Sequence, residues 1–176
     1  MGINRGPYNA LVDDDGTNTV GTVWGKQDIK DVILDPVDAF VSNGGTWSTY
    51  TPAWGGNDGV QPVIGNGTLS GRYVQIGKWI DVVMVLQAGS TTTFGTSTYW
   101  VFTLPFTPRV VASLTETHFR AGLLNGAGAG YPAATGYVSG GIVLLVTPAG
   151  ALVNPTTPFT WNAGSIVSIR GSYELP

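Results

Sequence analysis

The spacing of apolar positions changes along the chain. In Lys26-Gln-Asp-Ile-Lys-Asp-Val-Ile-Leu34, Ile29, Val32 and Ile33 fall at i, i+3 and i+4, the spacing of one helical face. Asp28 and Asp31 sit early in this stretch, where the helix dipole favours negative charge. Asp35-Pro36 then interrupts, Val37 and Phe40 continue the stripe, and Asn43-Gly44-Gly45 ends it. One short helix or a broken pair is predicted over 26–41, and no other helix in the chain.

From Thr46 onward the runs become short, β-branched and aromatic, with Gly, Pro and Asn between them. Strands are predicted at 47–54, 67–76, 79–87, 98–104, 110–120, 134–139, 142–147 and 165–173, the pattern of an all-β antiparallel sandwich, jelly-roll-like, of about eight strands. Ile76-Gly77-Lys78-Trp79 is short enough to make a hairpin of the second and third of these, and Gly140-Gly141 joins two others tightly. Asp81-Val-Val-Met-Val-Leu86 is almost continuously apolar and reads as a central strand covered on both faces. Tyr99 and Trp100 must point to opposite faces, so at least one lies outside the core.

Residues 1–24 hold turn formers and almost no periodic apolar pattern. Such a stretch cannot offset an ordering cost of about 1–2 kcal/mol per residue by packing on itself, so an ordered arm here needs a partner outside the chain. The expected organisation is an extended attachment arm at 1–25, a short helical linker at 26–43 and a β-sandwich domain at 44–176.

Charge adds to this picture. Of 176 residues only 11% are Asp, Glu, Lys or Arg, against about 25% in a typical soluble domain, and a surface so poor in charge is expected to be covered by partners. Eight Lys and Arg, scattered singly in a chain of net charge -3, give no footprint for nucleic acid. No apolar run approaches the roughly 20 residues of a membrane span. The N-terminus lacks an apolar signal core, so synthesis in the cytoplasm is expected.

Candidate chemistry is sparse. The chain has no Cys and one His, His118, which removes thiolate nucleophiles and Cys-based zinc sites. Asp13-Asp14-Asp15-Gly16 offers oxygen ligands but departs from a calcium loop after Asp15, and reads as a solvated acidic turn. Glu116 and His118 share a strand face and read as surface neighbours rather than an acid and base pair. Gly122 to Gly130 resembles a phosphate loop only superficially, because Tyr131-Pro132 follows where a helix would have to begin. We expect no catalytic, cofactor or metal residues. The segment 122–132 reads as a long flexible loop, with Leu123, Leu124, Asn125 and Tyr131 able to meet an external ligand.

Two segments carry a resemblance. One is Tyr8-Asn-Ala-Leu-Val-Asp-Asp-Asp-Gly-Thr-Asn-Thr-Val-Gly-Thr-Val-Trp24 with the helix after it. The other combines Trp47-Ser-Thr-Tyr-Thr-Pro-Ala-Trp54, Ile64-Gly-Asn-Gly-Thr-Leu-Ser-Gly-Arg-Tyr-Val-Gln-Ile-Gly-Lys78, Tyr99-Trp-Val-Phe-Thr-Leu-Pro105 and Gly171-Ser-Tyr173. Together they resemble structural proteins of tailed-phage virions, which use such modules as head decoration proteins, head fibres and tail receptor-binding proteins. The resemblance implies a non-enzymatic homo-oligomer, with a trimer favoured, resident in the virion. It implies attachment through the N-terminal arm, by Tyr8, Leu11, Val12, Val20, Val23 and Trp24, to another virion protein such as the major capsid protein. The shortness of the chain favours capsid decoration or a short head fibre; the alternative is a tail-associated protein recognising a host-surface glycan.

Overall fold

The computed structural model describes residues 45–109, 119–128 and 130–176, with the backbone alone described at 131–133. The arm at 1–25 with Tyr8, Leu11, Val12, Val20, Val23 and Trp24, the acidic turn at Asp13, the helical linker, and the Glu116 and His118 pair lie outside the described residues.

Thr46–Pro176 is one compact unit. Among the described residues it has nine strands: β1 (Ser48–Tyr50), β2 (Trp54–Gly56), β3 (Thr68–Ile76), β4 (Trp79–Gln87), β5 (Trp100–Thr103), β6 (Phe119–Leu124), β7 (Gly130–Ser139), β8 (Ile142–Val146) and β9 (Ile166–Glu174). All neighbours pair antiparallel. They form one continuous sheet in the order β1-β3-β4-β9-β6-β7-β8-β5-β2.

The edge strands explain the shape of this sheet. β1 and β2 stand at its two opposite edges, yet only residues 51–53 separate them in the chain. A chain extends by at most about 3.6 Å per residue, so the two edges lie within roughly 14 Å and the sheet must curl back on itself. Bonds cross the closure: the Tyr50 hydroxyl donates to the Thr103 carbonyl at 3.4 Å, and the Ala53 N–H donates to Thr103 Oγ1 at 2.7 Å. Pro52, buried between the two strands, has no N–H for a ladder; the single strand expected at 47–54 accordingly divides here and changes partners. Among the described residues nine strands, hydrogen-bonded as a single curled sheet, stand where eight were expected, and residues 110–118 of the strand expected at 110–120 lie outside the described residues.

Two tight turns fall where the sequence places them. Gly77 adopts φ 60° in the two-residue turn that pairs Ile76 with Trp79, and Gly140 and Gly141 both take positive φ between β7 and β8. Burial alternates along β4 and β9. On β4, Ile80, Val82, Met84 and Leu86 are buried, and β9 contributes Val167, Ile169 and Tyr173 to the same core. Aromatic rings fill the interior. Trp54 meets Trp100 edge to face with centroids 5.0 Å apart, and Trp100 lies against Trp161 at 4.8 Å. The Trp100 indole donates to the Phe94 carbonyl and the Trp161 indole to the Asn154 carbonyl. Elsewhere in the core the Tyr173 hydroxyl donates to the Phe106 carbonyl at 3.0 Å and accepts from the Phe106 N–H. Burial pushes the Tyr173 phenol up to about 12, because the interior disfavours the phenolate.

The long loop expected at 122–132 is corrected. Phe119–Leu124 and Gly130–Ser139 are paired strands, which leaves only a short turn around Asn125 to Gly128. Leu123 is 2% exposed, in the core, so it cannot present itself to an external ligand. Leu124 and Asn125 remain at the strand end and turn, and the backbone of Tyr131 pairs with Leu123 inside the ladder. Glycine misled the reading: Gly122 lies within a strand, beside a bulge between Ala121 and Leu123, where glycine is at home.

Candidate functional site

The informative surface is the outer, convex face of the sheet, and ladder register decides what it carries. Arg72 pairs with Val83, Val83 with Arg170, and Arg170 with Arg120. Directly paired residues point to the same face. Three exposed arginines on β3, β9 and β6 therefore lie in one cross-strand row, over roughly 14 Å at about 4.8 Å per strand. Residues 45–176 contain only five Lys or Arg, and three of them are in this row. The expected scatter of single basic residues is thus true of the chain order and not of the folded surface.

Each arginine is held differently. Arg72 lies over the Trp47 ring, 4.8 Å from its centroid, a contact that an Arg makes on an indole face. Arg170 donates to Asp81 Oδ2 at 3.0 Å. Arg120 meets no carboxylate among the described residues. It stands directly opposite Arg170, an unfavourable like-charge pairing.

Beside the row the surface dips into an open groove of about 510 Å³, lined by Val74, Ile76, Trp79, Asp81, Arg120, Arg170 and Ser172 among others. Trp79 is 58% and Ile76 53% exposed. A guanidinium offers a rigid fork of donors suited to a carboxylate or phosphate, and an exposed indole offers a flat apolar wall. The groove can therefore hold an anionic group and an apolar surface of the same ligand.

The outer face of β7, β8 and β5 has a different character. Tyr137 pairs with Leu144 and Leu144 with Val101, which makes a second cross-strand row, flanked on β8 by Ile142 and Val146. All five are half-buried. Val83 and Val85 on β4 are likewise half-buried, so this central strand, expected to be covered on both faces, is buried on its inner face and half-buried at these two outward positions. Tyr99, the outward member of the Tyr99 and Trp100 pair, is half-buried while Trp100 is 1% exposed.

A third surface, formed by the loops at 57–66 and 88–98, is pinned by side chains. Asp58 accepts from both the N–H and the hydroxyl of Thr98, at 2.6 and 2.7 Å, and Asn66 Oδ1 accepts from the Thr91 N–H at 2.9 Å. The hydrogen bonds from Thr98 hold the Asp58 carboxyl below the usual carboxylate range. These loops expose Val60 and Val63.

Among the described residues no three His, Cys, Asp or Glu side chains gather where they could hold a metal ion. Of the residues expected to meet an external ligand, Leu123 faces the core, Leu124 and Asn125 lie at one strand end, and none of these three lines the groove; the side chain of Tyr131 lies outside the described residues. The groove residues escaped the sequence reading because their sole common property is register. No protein-family model, curated protein or solved structure matches the chain.

Proposed function

We propose that the protein is a non-enzymatic structural protein of a tailed-phage virion. It acts as a capsid decoration protein or short head fibre that self-associates, with a trimer favoured, and holds the particle through its N-terminal arm. The observation that carries this reading is the apolar outer row of Tyr137, Leu144 and Val101 with Ile142 and Val146 beside it. A sheet that faces water on one side normally alternates apolar and polar residues. β8 has the sequence Ile-Val-Leu-Leu-Val, with no polar residue on either side, and stable subunit contacts are built from such surface. The finer architecture we read as a flattened sandwich of jelly-roll type, supported by the three-residue link that draws the sheet edges together.

Labelled antibody against the protein, applied to purified particles, tests the assignment. Signal over the head is expected, and particles without signal would overturn it. Light scattering on the full chain tests self-association: a trimer is expected, and a Leu144→Asp variant should dissociate. A second reading, a tail-associated receptor-binding protein, is favoured by the arginine row, and label at the tail tip would select it.

A further inference from the structure

We propose that the arginine row and the adjoining groove form a binding site for a carboxylated polysaccharide, with uronate-type carboxylates on Arg120 and Arg170 and a sugar ring against Trp79. The inference supplies a ligand class for the receptor-binding reading and rests on that reading only for where the polymer would be met.

Four observations converge on this site. Arg120 and Arg170 face each other across the β6 and β9 ladder, and Asp81 reaches only Arg170. A bound carboxylate would relieve the repulsion between the two guanidiniums and offer Arg120 the bidentate partner it lacks. Trp79 stands at the far end of the same groove, four residues along β4 from Val83, the partner of Arg170, which sets the arginine row and the apolar wall roughly 13 Å apart along the strand. A groove of about 510 Å³ is within the range of small-ligand sites, about 300–1,000 Å³. Finally, Arg72 extends the cationic row beyond the groove, as a ligand with repeated charges requires.

The topology argues against a peptide. At Asp81, Arg170 and Arg120 the ladders run on both sides of β4, β9 and β6, so no strand can be added beneath the two arginines. A peptide there would be held by side chains alone. Nucleic acid is disfavoured by charge: residues 45–176 carry five basic residues against four acidic ones, where a phosphate backbone selects a strongly basic surface.

The test is equilibrium binding of the full chain to oligogalacturonate at low salt, with dextran, polyglutamate and oligo(dT) as comparison ligands. Oligogalacturonate should bind, weaken as salt rises, and exceed the other three. Arg120→Gln and Trp79→Ala should each weaken it about tenfold, the scale of one lost charge-assisted or stacking contact, with unchanged circular dichroism. Absence of oligogalacturonate binding, equal binding of polyglutamate or oligo(dT), or indifference to both substitutions would overturn the proposal. Antibody label on the head together with intact oligogalacturonate binding removes the tail reading and supports the site. Label at the tail tip without such binding removes the site alone.

Discussion

The two faces of β4 and β8 differ in burial far more than in chemistry. On β4, Val82 and Met84 point inward and are buried, while Val83 and Val85 point outward and are half-buried. On β8, Val143 and Leu145 lie in the core while Ile142, Leu144 and Val146 face out. β9 differs: it turns Ser168, Arg170 and Ser172 outward between Val167, Ile169 and Tyr173. The core is built from the inner set, and the outer apolar residues on β4 and β8 lie outside it. Apolar surface beyond what a core needs is what contact with another molecule uses.

The contrast is open to direct attack by truncating one side chain from each face. Phe102 is 0% exposed, and Phe102→Ala should cost about 3–5 kcal/mol, the loss of a buried ring plus its cavity. Leu144→Ser should cost less than about 1 kcal/mol in the dissociated chain, as outward substitutions usually do. Denaturant melts of both variants, at a concentration where Leu144→Ser is monomeric, give the comparison. Equal losses would mean that a second layer covers β8 within the monomer.

Glycines sharpen the same contrast at smaller scale. A Cβ at Gly171 would come within 2.5 Å of the Phe119 ring, whereas a Cβ at Gly122 on the outer face would meet nothing within 4 Å. Gly171→Ala should therefore destabilise by about 1–3 kcal/mol through overpacking, and Gly122→Ala should be close to neutral. A thermal melt of each variant decides it, and a neutral Gly171→Ala would show that the ring has room to retreat.

Much of the fold was legible because it is written locally. Gly77-Lys78 and Gly140-Gly141 are turn chemistry, and β3, β4, β8 and β9 carry enough β-branched and aromatic residues to be read within a residue or two. The β6 and β7 hairpin was misread because Gly122 and Gly130 sit in strands while imitating a glycine-rich loop. Pro52 was inside a run that looked like one strand, and only the sheet edges reveal that it separates two. The arginine row was beyond reach of any local pattern: Arg170 and Asp81 are 89 positions apart, and the alignment of Arg170 with Arg72 and Arg120 depends on three ladders at once.

Alkaline pH probes the inner face with a titration. Burial raises the Tyr173 phenol to about 12 from its ordinary 10.0, and raises Tyr50 as well. A group whose pKa is higher folded than unfolded stabilises the fold fully below its unfolded value and loses that contribution as pH rises through the folded one. Stability should therefore be flat up to about pH 10 and fall between about pH 10 and 12. Tyr173→Phe should flatten part of that fall while losing the hydrogen bonds to Phe106. An equally steep decline in the variant would assign the effect to other groups.

The smallest expected effect on stability comes from the outer-face ion pair, and it separates folding from binding. Arg170 and Asp81 touch at 3.0 Å with side chains 68% and 33% exposed, and pairs so open to solvent are worth about 0–1 kcal/mol. Asp81→Asn should therefore leave the denaturant midpoint nearly unchanged. It should nevertheless raise the positive charge of the row, since it removes the carboxylate that competes for Arg170 and leaves Arg170 and Arg120 without an acidic neighbour in the groove among the described residues. If the row serves a polyanion, Asp81→Asn tightens oligogalacturonate binding and steepens its dependence on salt. If instead the substitution lowers stability by several kcal/mol, the pair belongs to the fold, and the outer face is more like the inner one than its exposure implies.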